Sequence, residues 1–71
     1  MIANVPYHMS ELDEVVGDLH SIEETESSCL ALIGKVPVLL PQELSPRLVE
    51  MIGKKISVLR LDGYYIRALK I

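Results

Sequence analysis

The chain has no Phe and no Trp, a single cysteine, and no Lys or Arg before residue 35. Each shortage excludes something. Without the large aromatics, the core must be built from Val, Leu, Ile and Met, and three tyrosines are all that is available for stacking. Cys29 has no partner for an intramolecular disulfide, which fits a reducing compartment. Met1 is followed by neither a charged segment nor the apolar run of about 7–15 residues that a signal peptide needs. No stretch approaches the roughly 18 apolar residues of a membrane span. The expectation is a cytoplasmic, soluble protein without a membrane partner.

What is present is aliphatic. Apolar residues make up 49% of the 71 positions and charged ones 24%. A chain of this length forms one domain, residues 1–71, and buries only about 60–65% of its unfolded surface. That aliphatic content exceeds what so small a core requires, and a surplus of exposed apolar surface points to self-association or a protein partner. The charge is divided. Seven acids (Glu11, Asp13, Glu14, Asp18, Glu23, Glu24, Glu26) lie before residue 35, and all seven basic residues lie after it, against Glu43, Glu50 and Asp62. In a small domain this division is expected to bring the halves together in the fold.

Residues 1–9 show no period and read as a flexible arm, with the folded unit over 10–71. Ser10 and Asp13 resemble a capping box, so 11–16 is either a short helix or the entry to a strand. Residues 17–24 alternate imperfectly: Leu19 and Ile22 have opposite parity and need a bulge if both face inward. The apolar run 29–34 ends at Gly34, and 35–41 resumes with Val36, Val38 and Leu40 on one parity. Pro37 lacks an amide hydrogen, which predicts an edge or a bulge there. Ser45 suits an N-cap and Pro46 the first helical position. Leu44, Leu48 and Ile52 with Val49 and Met51 form an apolar stripe, and Gly53 suits a left-handed stop. Two strands, 54–61 and 64–71, flank Asp62-Gly63, a strong signal for a two-residue type I′ hairpin.

The chain thus reads as all-β with one short helix. The order strand, strand, strand, helix, strand, strand over 15–71 resembles that of the OB-fold, a small five-stranded, partly open barrel. The rival is an SH3- or Sm-like small barrel. OB-folds bind oligonucleotides on their second and third strands, which here carry no aromatic.

A two-residue turn sets Arg60 opposite Tyr65 and Val58 opposite Arg67. Alternation then puts Ser57, Leu59, Leu61, Tyr64, Ile66 and Ala68 on an inner face. Arg60, Tyr65 and Arg67 share the other, with Ile56, Val58 and Leu69 beside them. Two readings use that face. Single-stranded DNA or RNA needs a cationic groove with stacking platforms, which Arg60, Tyr65 and Arg67 supply and Lys35, Lys54, Lys55 and Lys70 extend. This is the leading expectation, although a pI near 5.2 runs against it. A protein partner, or a second copy in a homo-oligomer, would instead use Ile56, Val58 and Leu69 beside Arg and Tyr, as interface cores do.

Catalysis finds little support, and the expectation is a non-enzymatic binding module without a cofactor. His8 and His20 stand in no recognisable motif. Cys29 sits in an apolar run and reads as an inert core thiol. His20, Glu23 and Cys29 lack the paired spacing of a zinc site, and Glu23, Glu24 and Glu26 lack that of a calcium loop.

Overall fold

The computed structural model describes residues 7–69. In chain order these form β1 (Tyr7–His8), β2 (Glu14–Glu24), β3 (Ser28–Ile33), β4 (Val36–Pro41), a 3-10 turn at Gln42–Leu44, α1 (Ser45–Val49), β5 (Lys55–Arg60) and β6 (Tyr64–Ala68). One sheet holds the six strands in the order β1-β4-β3-β2-β5-β6, with β1 parallel to β4 and the other pairs antiparallel. The mostly-β class with one short helix is as expected. The sheet curls into a half-barrel and has one strand more than anticipated.

β2 organises the sheet because it serves both halves. Residues 14–18 pair with β5, and the rest of the strand pairs with β3. Between the two stretches the ladder with β3 slips, from Leu19 opposite Ile33 to Ser21 opposite Leu32. The extra residue, His20, resolves the parity conflict: Leu19 is fully buried and Ile22 packs against the core. At the bend, a Cβ on Gly17 would lie 3.1 Å from Gly34 N and 3.3 Å from Ile33 Cγ2. A side chain there would have to push these neighbours back by a few tenths of an ångström.

β3 and β4 form a tight hairpin. Ile33 pairs with Val36, leaving Gly34 and Lys35 as the turn, with Gly34 at φ +63°. Strict alternation buries Cys29, Ala31 and Ile33 on β3 and Val38 and Leu40 on β4. The closing pair takes the hydrogen bonds, so the nitrogen of Pro37 faces away from β3. β1 pairs only with Val38 and Leu39, so the missing N–H removes no recorded ladder pairing.

The hairpin of β5 and β6 differs from expectation by one residue. Arg60 pairs with Tyr64 and Val58 with Ile66, so the loop spans residues 61–63 and is three residues long. Neither Asp62 nor Gly63 takes a positive φ. The shift turns β5 over and leaves β6 as anticipated. Ile56 and Val58 join Ile66 in the core, and Ser57 and Leu59 face outward with Tyr65 and Arg67.

Other expectations change. Ser45 lies within α1, and its hydroxyl donates to Glu24 Oε2 (2.8 Å) instead of capping the helix; the N-cap is Leu44, without a side-chain bond. α1 is five residues long, so Leu48 is its buried anchor while Val49 and Ile52 stay exposed. Gly53 does take the left-handed conformation, at φ +91°. Of the two alternatives for 11–16, the strand entry forms, with Val15 and Val16 in β2, and the short helix does not; residues 10–13 make a turn. Asp13 N–H donates to Ser10 O, closing a turn with Leu12 at φ +76°. Leu12 N–H then donates to Arg60 O while Arg60 N–H donates to Asp13 O, so two residues oppose one in a bulge. Of the expected arm, Tyr7 and His8 pair with β4 and Met9 enters the core at 4% exposure.

Candidate interaction surface

β2, β5 and β6 present one continuous outer face, and the register fixes its rows. Glu14, Leu59 and Tyr65 lie side by side, then Val16, Ser57 and Arg67, then Asp18 and Lys55. Leu69 completes the third row through its N–H bond to Lys55 O (2.8 Å). Ser57, at the centre, is covered by its neighbours (4% exposed), and its hydroxyl donates to Glu14 Oε2 (2.7 Å). Val16 (50%) and Tyr65 (52%) stand out from the face. A shallow cleft of about 500 Å³ crosses the hairpin here, lined by Glu14, Leu59, Tyr64, Tyr65 and Arg67 and by Arg47 of α1.

The expected site residues do not assemble as one group. Arg60 is half-buried on the inner side of β5. Its guanidinium lies 4.8 Å from the centroid of the Tyr64 ring, and Nη1 donates to Tyr64 Oη (2.8 Å) and Met9 O (3.2 Å). The two-residue turn had set Arg60 opposite Tyr65; the cation–π pair forms with Tyr64 instead, because the one-residue shift moved Arg60 to the other face. Tyr65 and Arg67 remain together on the outer face. The Tyr65 hydroxyl donates to Asp62 Oδ1 (2.7 Å), and that bond holds its ionisation above the usual tyrosine range.

Lys54 and Lys55 are exposed at the far end of β5. Lys35 belongs to a different surface: it lines a second cleft of about 310 Å³ with Glu23, Leu30, Leu32 and Pro37 on the β2–β4 side. Lys70 lies outside the described residues. Ile56 and Val58 are fully buried and offer no contact surface, whereas Leu69 is half-buried beside Lys55. Residues that the sequence reading did not single out take their place: Glu14, Val16, Leu59 and Arg47. Alternation with a two-residue turn put Leu59 on the inner face, and Val16 follows the equally apolar Val15, so neither was singled out. Arg47 carried none, since only the fold brings the helix to β6.

The two charged halves meet through hydroxyls rather than through opposite charges in the recorded side-chain bonds. Glu14 and Glu24 accept from Ser57 and Ser45, and Arg60 donates to the carbonyl of Met9, whereas Arg47 donates within its own half, to Ile66 O. Cys29 is buried, its thiol 3.5 Å from Pro41 O, and burial raises its pKa, with Glu24 adding to the effect. The thiolate is therefore disfavoured. Among the described residues no three His, Cys, Asp or Glu side chains gather as a metal-holding group, and no helix is long and apolar enough to cross a membrane.

No family model, no curated protein and no solved structure matches this chain.

Proposed function

We propose that the chain is a non-enzymatic protein-interaction module, built on an OB-like half-barrel, that engages its partner with the outer face of β2, β5 and β6. The strand-strand-strand-helix-strand-strand order persists from β2 to β6, with β1 added, and supports the OB-like reading over the SH3- or Sm-like one.

The observation that carries the function is the charge of the face. A groove for single-stranded nucleic acid needs an unbroken cationic track. Here Glu14 lies in the row of Tyr65 and Asp18 in the row of Lys55, while Arg60 has turned inward. Phosphates passing Arg67 would meet carboxylates on the same face. Val16, Leu59, Leu69, Tyr65 and Arg67 instead match an interface core, where tyrosine and arginine are enriched.

Two measurements test the reading. In an NMR titration with mixed single-stranded DNA and RNA at low salt, the amides of Lys55, Tyr65 and Arg67 are expected to stay in place. Shifts centred there that vanish as salt rises would restore the nucleic-acid reading. In affinity capture from native extract with the folded chain as bait, Val16→Asp is expected to lose a partner that the parent chain retains.

A further inference from the structure

The hydrogen-bond phase of the second hairpin fixes what β6 shows to solvent. Leu69 N–H donates to Lys55 O and Leu61 N–H to Gly63 O, so the odd-numbered residues of β6 bond across the hairpin. The N–H and C=O groups of Tyr64, Ile66 and Ala68 therefore point the other way, toward the rim of the sheet. β6 is the last strand in the order, so this rim is an edge. Its centre is covered by Arg47, whose Nη2 donates to Ile66 O (3.1 Å). A charged side chain laid over an edge is a common guard against strand addition, and Arg47 belongs to an exposed position on a five-residue helix.

We propose that β6 pairs antiparallel with β6 of a second copy of this chain, about a two-fold axis through Ile66, with Arg47 swung off the rim. The inference rests on reading the β2–β5–β6 face as an interaction surface, and adds a second copy of the chain at its rim. The strand is self-complementary in this register. Ile66 meets Ile66 of the second copy and Tyr64 meets Ala68, so all three outward residues of each strand take part. Arg67 then lies opposite Tyr65 of the second copy, which brings a guanidinium to an aromatic face, twice by symmetry. Registers centred on Tyr65 or Arg67 engage only two outward residues per strand, and the latter sets Arg67 against its own copy. Backbone pairing along the whole strand replaces one arginine–carbonyl bond. The joined hairpins also make the two interaction faces continuous across the axis.

Sedimentation equilibrium on the full chain, across the micromolar-to-millimolar range, reads the proposal directly. A reversible dimer is expected. Ala68→Pro should weaken it at least about tenfold, because that exposed N–H points to the rim and is not used within the hairpin. Arg67→Ala, on an exposed side chain, should weaken it severalfold through loss of the Tyr65 contact. Arg47→Ala uncovers Ile66 O and should tighten the dimer about tenfold. A wild-type chain that stays monomeric throughout overturns the proposal. So does a dimer as tight in Ala68→Pro, its fold checked by circular dichroism, as in the parent, since another surface would then hold it. Either failure leaves the partner-binding face standing while capture remains sensitive to Val16→Asp; losing that sensitivity as well removes the underlying reading.

Discussion

Two of the antiparallel hairpins, β3–β4 and β5–β6, obey different masters. In the β3–β4 hairpin the turn residue and the core agree. Gly34 takes φ +63° in a two-residue turn, and the resulting register buries Cys29, Ala31, Ile33, Val38 and Leu40. In the β5–β6 hairpin they disagree. Asp62-Gly63 favours a two-residue turn, yet that register would bury Ser57 and Leu59 and expose Ile56 and Val58. Burying a Val or Ile side chain is worth about 1.5–3 kcal/mol, and an inward Ser57 would also need a new partner for its hydroxyl. One added loop residue removes the conflict. Ile56 and Val58 go inward, and Ser57 goes outward to Glu14. Core pattern outranks turn chemistry where the two compete.

The largest effect that tests this contrast is a matched pair on β5. Ile56→Ala should cost about 2–5 kcal/mol, the range for emptying a buried aliphatic site. Leu59→Ala, half-buried on the outer face, should cost clearly less. Urea denaturation of both variants decides it, and a larger loss at Leu59 would mean that the two-residue register is the true one. A smaller effect contrasts the turns. Gly34→Ala forces a left-handed alanine and, less the unfolded freedom that glycine gives up, should destabilise by about 0.5–1 kcal/mol. Gly63→Ala meets no atom within 4 Å and no positive φ, so its melting temperature should stay near that of the parent. Equal losses at the two glycines would erase the distinction.

The sequence conveyed element type and order well, because those rest on local periodicity. The bulge at His20 was legible in the opposed parities of Leu19 and Ile22, whereas Pro37 lies on neither an edge strand nor a bulge, because β4 sits between β1 and β3 and pairs with β3 without a shift. What escaped was every feature set by distant residues. Ser57 and Glu14 are 43 positions apart, Arg47 and Ile66 19. The register of β5 depends on Val15 and Gly17 of β2, which Val58 and Ile56 face. The candidate face was therefore half visible: Tyr65 and Arg67 kept their expected side, while Arg60, Ile56 and Val58 left it with the flip of β5. Met9 was hidden for a related reason, since a lone apolar residue in an arm shows no period.

A third turn extends the comparison, because here the wrong residue occupies the special conformation. Leu12 sits at φ +76° and is 74% exposed, where glycine or asparagine is usual. A left-handed L-residue costs about 1–2 kcal/mol, and glycine's extra freedom when unfolded takes back about 0.5–1 kcal/mol. Leu12→Gly should therefore stabilise the chain by about 0.5–1 kcal/mol, and Leu12→Asn should stabilise it too. For a domain of this size, 1 kcal/mol corresponds to about 4–8 °C in Tm. A drop in Tm for both variants would mean that the Leu12 side chain is held by packing.

The smallest expected effect depends on pH and should be centred on the turn at residues 10–13, between β5 and the β1–β4 pair. Asp13 accepts from the Tyr7 hydroxyl and, at 2.8 Å, from Ser10 N–H, so its pKa lies below the usual carboxylate range. The same hydroxyl–carboxylate bond holds the Tyr7 ionisation above its ordinary value. A depressed acid contributes stability above its unfolded pKa, about 3.9, and loses it as pH falls through the folded value. For Tyr7 the sign is opposite: the contribution is present below about 10 and lost as pH rises through the raised value. Both groups are exposed, so the step is modest, and Asp13→Asn should remove its acid limb. Its location is the informative part. Asp13 O accepts Arg60 N–H (2.9 Å), which ties this latch to β5. Acid titration followed by NMR should therefore move the amides of Tyr7, Ser10 and Arg60 together and leave Gly34 and Val36 in place. A step shared by both hairpins would show instead that the two halves of the sheet respond as one unit.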